Sequence, residues 1–192
     1  MALALQFSPA ISQAAVFADD FNSYSPVDQL NWLLPVGWIY GNEGTVDLIG
    51  AGGNWEFAFA SNGLFVDLDG STNFAGLLKH SVDLDAGVTY SLTFDLAGSQ
   101  RGDINDVVVN FGTSSGTYTL ATSDLFSTKT LSFTPDATGA YDISFQNSGD
   151  PGDNVGALLD NVSVVAVPES ETSAMMAVGL GVMGFVARRR RS

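Results

Sequence analysis

Alternation of apolar and polar side chains is the dominant pattern from Ala15 to Ala166. In Val88 to Leu96, Val88, Tyr90, Leu92, Phe94 and Leu96 fall on one side and Thr89, Ser91, Thr93 and Asp95 on the other. That is the period-two signature of a half-buried strand. The same period runs through Trp55, Phe57 and Phe59; Leu64, Val66 and Leu68; Val107, Val109 and Phe111; Leu131 and Phe133; Tyr141, Ile143 and Phe145. Leu158 to Val167 closes the series. Between the runs stand turn pairs such as Asn62-Gly63, Asp69-Gly70, Ala86-Gly87, Ser115-Gly116, Thr138-Gly139 and Ser148-Gly149,. No amphipathic helical period competes before residue 170, although Ser23 to Leu34 predicts a short helical turn. Short alternating strands joined by turns predict an all-β fold, an antiparallel β-sandwich or jelly roll over residues 15–166.

The alternation stops at both ends. Residues 167–192 read VPESETSAMMAVGLGVMGFVARRRRS: a polar start, an uncharged apolar run from Ala174 to Ala187, and four arginines, Arg188, Arg189, Arg190 and Arg191. A helix crossing hydrocarbon needs about 20 apolar residues, so this run predicts a short, single C-terminal transmembrane helix. The arginines hold its end on the cytoplasmic side and leave the preceding body outside, as a membrane anchor stop does. Gly179, Gly181 and Gly184 spell GxGxxG, but no acidic residue follows at the distance a dinucleotide site requires. Residues 1–14, MALALQFSPAISQA, pair an apolar stretch with the small-x-small step Ser12-Gln13-Ala14 and read as part of a signal peptide whose charged beginning lies upstream,.

Composition narrows the function. The 21 acidic residues face only Lys79, Arg101 and Lys129 outside the terminal arginines. A surface of that sign repels phosphate backbones, which excludes nucleic acid as a partner and makes divalent cations the natural counter-species. Cysteine is absent, so no disulfide framework supports the fold.

Val167, Pro168 and Glu169, followed by a membrane segment and an arginine-rich end, resemble the PEP-CTERM sorting signal of exported bacterial proteins; Ser170 stands where that family usually has a second proline. The resemblance implies recognition by an exosortase-type membrane protease, with the chain anchored in the inner membrane and then placed at the cell surface or outside it. Gly63–Gly70, Ala86–Gly98 and the closing LLDNVSVV of Leu158–Val165 resemble galactose-binding-like carbohydrate-binding sandwiches. That resemblance implies a jelly roll binding glycan, often with a structural calcium ion held by an aspartate of the last strand beside residues of the first, here Asp160 with Asp19 and Asp20.

Strict alternation puts Asp160 on the face of Leu158, Val162 and Val164, where a carboxylate needs a partner. Two readings stand: a calcium ligand, or a strand-end carboxylate capped by amides or solvated through a bulge. The pairs Asp67/Asp69 and Asp83/Asp85 lie opposite the apolar positions and run into glycine turns, which reads as solvated strand ends more than as a glycosidase pair. His80 alternates with Phe74, Leu78 and Val82, the pattern of a partly buried histidine rather than a general base. The Asp- and Asn-rich loops 99–106 and 148–154 match no complete calcium loop, and Arg101-Gly102-Asp103 and the sequon Asn161-Val162-Ser163 read as a plain turn and a strand segment. Among Trp32, Trp38, Tyr40 and Trp55, core packing competes with a sugar-stacking platform. Trp38 and Tyr40, flanked by Gly37 and Gly41, are the pair expected to be displayed if one exists.

The combined expectation is an exported, non-enzymatic envelope or extracellular-matrix protein that binds extracellular polysaccharide. The alternatives are a hydrolase or lyase acting on exopolysaccharide, and a purely structural, calcium-stabilised surface protein.

Overall fold

The computed structural model describes residues 14–25, 27–72, 74–148 and 153–168. The expected terminal helix, Glu169, Ser170 and the four arginines lie outside the described residues, as does most of the expected signal peptide. No helix among the described residues is long and apolar enough to cross a membrane.

Among the described residues eleven strands follow one another: β1 (Ala15–Asp19), β2 (Trp38–Tyr40), β3 (Asp47–Gly50), β4 (Leu64–Asp67), β5 (Leu77–Leu84), β6 (Tyr90–Ala97), β7 (Asn105–Phe111), β8 (Ser114–Leu120), β9 (Ser127–Phe133), β10 (Gly139–Asn147) and β11 (Leu158–Ala166). They form two antiparallel sheets. One has the order β3-β4-β11-β6-β9, with β1 also on β11; the other has the order β2-β5-β10-β7-β8. One edge of β11 is shared, β4 taking Leu158 and Leu159 and β1 taking Val162 to Val165.

The alternating positions do what their period demands. Leu92, Phe94 and Leu96, Val107, Val109 and Phe111, and Ile143 and Phe145 are buried together between the sheets. Burying such apolar surface, at about 25 cal/mol per Å², drives the sandwich together. β4 is buried on both faces: Leu64 and Val66 enter this core. Phe65 joins a second cluster on the outer side with Ile49, Phe59, Ala97 and Leu158, covered by Phe57 and Phe126.

That second cluster revises the reading of Trp55, Phe57 and Phe59, which lie not in a strand but in the connection from β3 to β4, with a single 3₁₀ turn at Ala60–Asn62. Phe57 and Phe59 pack over the outer face, a role that period alone cannot separate from a strand. The described residues between Ser23 and Leu34 form turns and bends rather than a helix, and Gln29 bridges to Leu48 instead. Ser115 and Gly116 sit inside β8, and the turn falls at Gly112, whose φ of +56° suits a residue without a Cβ,.

Candidate functional site

The strands of the first sheet bring four segments to one end: the start of β3, the end of β4, the loop after β6 and the segment that enters β11. Asp67, the last residue of β4, pairs with Asp47 of β3 and with Leu158 of β11. It is 2% exposed. Its Oδ1 accepts the amides of Asp69 and Gly156, each at 3.1 Å, and its Oδ2 accepts Arg101 Nη2 in an ion pair. Gly156 is required there, because a Cβ would collide with the Asp69 amide and the Asp67 carboxylate.

Arg101 joins the remaining pieces. Its Nη1 donates to the Asn154 carbonyl at 2.8 Å, and its guanidinium lies 5.6 Å from the centre of the Phe57 ring, within cation–π range. Burial pushes the Asp67 carboxyl up to about 8 against the pull of the guanidinium. Burial and then Asp153 push Asp69 up to about 6. Asp67 and Asp69 are therefore not solvated strand ends: the four-segment junction closes over them, a long-range effect that their spacing does not reveal. Asp83 and Asp85 are exposed, as expected.

Beside this junction opens a cleft of about 320 Å³ lined by Leu30, Asp47, Trp55, Phe57, Arg101 and Asn154, among others. Trp55 is 43% exposed, and its ring centre lies 6.3 Å from that of Phe57. The loop that carries it is pinned by Asp28, whose Oδ2 accepts the Asn54 amide at 2.5 Å and the Asn54 side chain at 3.1 Å. Asp47 on the opposite wall accepts the Asn31 amide at 2.6 Å and the Ser71 hydroxyl at 2.8 Å. The arrangement offers an aromatic surface, a guanidinium and carboxylates on a braced frame, which suits a polyhydroxylated ring with one apolar face.

The expected platform is not displayed. Trp38 is 3% exposed, and its Nε1 donates to Asp19 Oδ2 at 2.8 Å. Tyr40 is half-buried, and its hydroxyl bridges the Trp32 carbonyl at 2.8 Å and the Val46 amide at 3.2 Å. Both belong to the core wall, as their apolar neighbours Trp32 and Val46 dictate. The exposed tryptophan is Trp55. Its signal was the preceding Gly50-Ala51-Gly52-Gly53, which marks a loop rather than a strand. His80 is half-buried as expected, stacked on Phe17 at 3.9 Å, and burial lowers its pKa.

The three expected metal ligands lie around the middle of β11 but differ in what they leave free. Asn161, at φ +50°, is an extra residue where the pairing with β6 shifts register. The bulge turns Asp160 away from Val162 and Val164, so strict alternation places it on the wrong face. It sits opposite Asp95 in the ladder and is still 1% exposed. Its Oδ1 accepts the Asn161 amide at 2.7 Å, and its Oδ2 has no partner. Asp19 uses both oxygens, on the Phe21 amide, the Tyr24 hydroxyl and the Trp38 indole. Asp20 is exposed and accepts the Asn22 amide at 3.1 Å. No group of three or more histidine, cysteine or carboxylate ligands converges among the described residues, and of the three expected ligands Asp160 alone keeps a buried oxygen without a partner.

The tail has a clear relative. Residues 166–191 match the PEP-CTERM protein-sorting motif. No curated protein matches the chain by sequence. Among solved structures, the chain is similar to the tandem CBM22-1–CBM22-2 domain of Paenibacillus barcinonensis Xyn10C, with 12% identity, TM-score 0.57, and 85% of this chain and 49% of that one covered. It is also similar to the single CBM22-1 xylan-binding domain of that protein, with 9% identity, TM-score 0.54, and 84% and 100% covered. A Stig cyclase from Fischerella shares the fold as well, with 19% identity, TM-score 0.53, and 78% and 93% covered. The chain spans 23% and 30% of the length of a similar arabinofuranosidase chain and a similar xylanase chain. At these identities the likeness is one of fold: a carbohydrate-binding-module type of sandwich that also carries a cyclase.

Proposed function

We propose that this chain is an exported, non-enzymatic glycan-binding β-sandwich, sorted through its C-terminal signal by an exosortase-type protease, and that the cleft beside Trp55 and Arg101 takes the sugar. The observation that carries the proposal is Trp55, exposed on a loop tied down by Asp28, next to Phe57 and a guanidinium whose position is locked by Asp67 and Asn154. An aromatic face stacks on the C–H face of a pyranose, and the carboxylates and guanidinium take its hydroxyls. The surplus of acidic residues favours a neutral polysaccharide over an anionic one,. The sorting match supports export by way of the membrane, and the sandwich relatives support carbohydrate binding, since one of them is described as a xylan-binding domain.

The test is retention of the protein in gels carrying xylan, β-glucan or the exopolysaccharide of its host. Retention on at least one is expected, with Trp55→Ala lowering affinity at least tenfold, about 1.4 kcal/mol, and leaving the melting temperature unchanged. Equal retention of wild type and variant would remove the cleft from the proposal.

One observation favours a hydrolase reading: Asp67 borders the cleft with a raised pKa, as a general acid does,. Both its oxygens are already occupied by Arg101 and two amides, which supports a bracing role instead. Release of reducing ends from a retained polysaccharide would restore the enzyme reading. A structural calcium ion at Asp160 is a separate proposal, supported by its unpartnered buried oxygen.

A further inference from the structure

Strand β11 gathers both termini of the domain at one point. The sorting-motif match begins at residue 166, yet Ala166 is still paired with Tyr90 in the sheet. The next amide, that of Val167, still donates to the Thr89 carbonyl at 2.7 Å. No spacer separates the sandwich from the motif. At the other terminus Ala15, the first residue of β1, pairs with Val165, and directly opposed residues of an antiparallel pair lie about 5 Å apart. The chain therefore enters and leaves the domain side by side.

The cleft lies at the far end of the same strand. Leu158, the first residue of β11, pairs with Asp67, and Asn154 and Val155 of the cleft wall lead into it. Nine residues form β11, and at about 3.4 Å per residue they hold the two ends about 27 Å apart. From Pro168 to Ala174, where the apolar run begins, the chain can span at most about 21 Å. A domain turned cleft-down would lift Pro168 farther from the bilayer than this segment reaches.

We infer that the sandwich stands on the lipid bilayer by the end that carries Ala15 and Ala166 and presents its cleft away from the membrane, toward the surrounding polymer. The membrane in this inference rests on the sorting-signal reading above. The surface that meets the lipid headgroups consists of the β5–β6 and β9–β10 turns. They are fastened side by side by the Gly87 amide on the Pro135 carbonyl at 2.8 Å and the Ala86 amide on Thr138 Oγ1 at 3.0 Å. The sorting protease meets the folded end of β11 directly, with the glycan site out of its way.

Because the chain has no cysteine, a single label can mark each end. Ala86→Cys places an environment-sensitive fluorophore on the exposed membrane-side turn. Ser123→Cys places it on the exposed turn at the cleft end, where the Asp124 carbonyl accepts the Gly98 amide at 3.0 Å. The full chain is reconstituted in phosphatidylcholine vesicles doped with headgroup spin-labelled lipid. Quenching at position 86 at least threefold stronger than at position 123 is expected. Equal quenching, stronger quenching at 123, or failure to associate with the vesicles would overturn the orientation. Polysaccharide retention by the same vesicles, with and without Trp55→Ala, reads the glycan proposal independently, so the two fail separately.

Discussion

Arg101 shows how far one side chain can depend on its neighbours. It is one of three basic residues outside the terminal arginines, and it binds β4, the segment before β11 and the loop bearing Phe57 at once. Removing one partner of a buried pair leaves the other uncompensated, at a cost of about 3–5 kcal/mol. Arg101→Ala is therefore expected to lose about 3 kcal/mol of stability at pH 9, where wild-type Asp67 is ionised beside the guanidinium,, and distinctly less at pH 5, where a protonated Asp67 needs no cation. Urea denaturation at the two pH values measures this, and equal losses would show that Arg101 does not compensate Asp67. Nothing in the tripeptide Arg101-Gly102-Asp103 announces this role, because the partner lies 34 residues away and only the fold makes them meet.

At the scale of the element, β11 carries the most information and one misleading rule. Its apolar residues are plain in LLDNVSVV, and the strand forms where they stand. Its alternation breaks at Asn161, a residue able to adopt positive φ, so the inward and outward sets exchange across the bulge,. Asp160 is thereby left buried with a free Oδ2, and burial pushes its carboxyl up to about 7. If calcium is drawn to that oxygen, chelation at pH 8 is expected to lower the melting temperature of the wild type and not that of Asp160→Ala. A wild-type melting temperature that ignores chelator would end the calcium proposal. The β3–β4 connection shows the opposite case, in which aromatic residues at strand-like spacing were recruited as a lid and a displayed Trp55.

For the molecule as a whole, the buried carboxyls set the pH response. Asp67 and Asp69 bind their protons more tightly folded than unfolded, since their folded pKa values, about 8 and about 6, lie above the ordinary 3.8. Their favourable contribution is complete below about pH 4 and is lost as the pH rises through 6 and then 8. Self-repulsion among 21 acidic residues acts in the same direction,. Thermal unfolding in metal-free buffer is expected to show a higher melting temperature at pH 5 than at pH 8.5, with part of the gap closed by 0.5 M salt. A flat profile would mean that Asp67 and Asp69 titrate as exposed groups do. The same global view places the cleft and the start of the sorting motif at opposite ends of β11, which neither segment shows alone.

Period-two patterning was enough to establish the all-β class, most strand positions and the inward-facing core, because alternation is a local consequence of backbone pleat. The tail was equally legible, since a sorting signal is read as a linear order of residues. Contacts between distant segments were not legible in this way. Which tryptophan is displayed, which aspartates are buried, where β11 changes face and which end of the domain carries the cleft all depend on chain segments tens of residues apart. Their energies are settled only when two sheets close over a shared interior and exclude water from the groups between them.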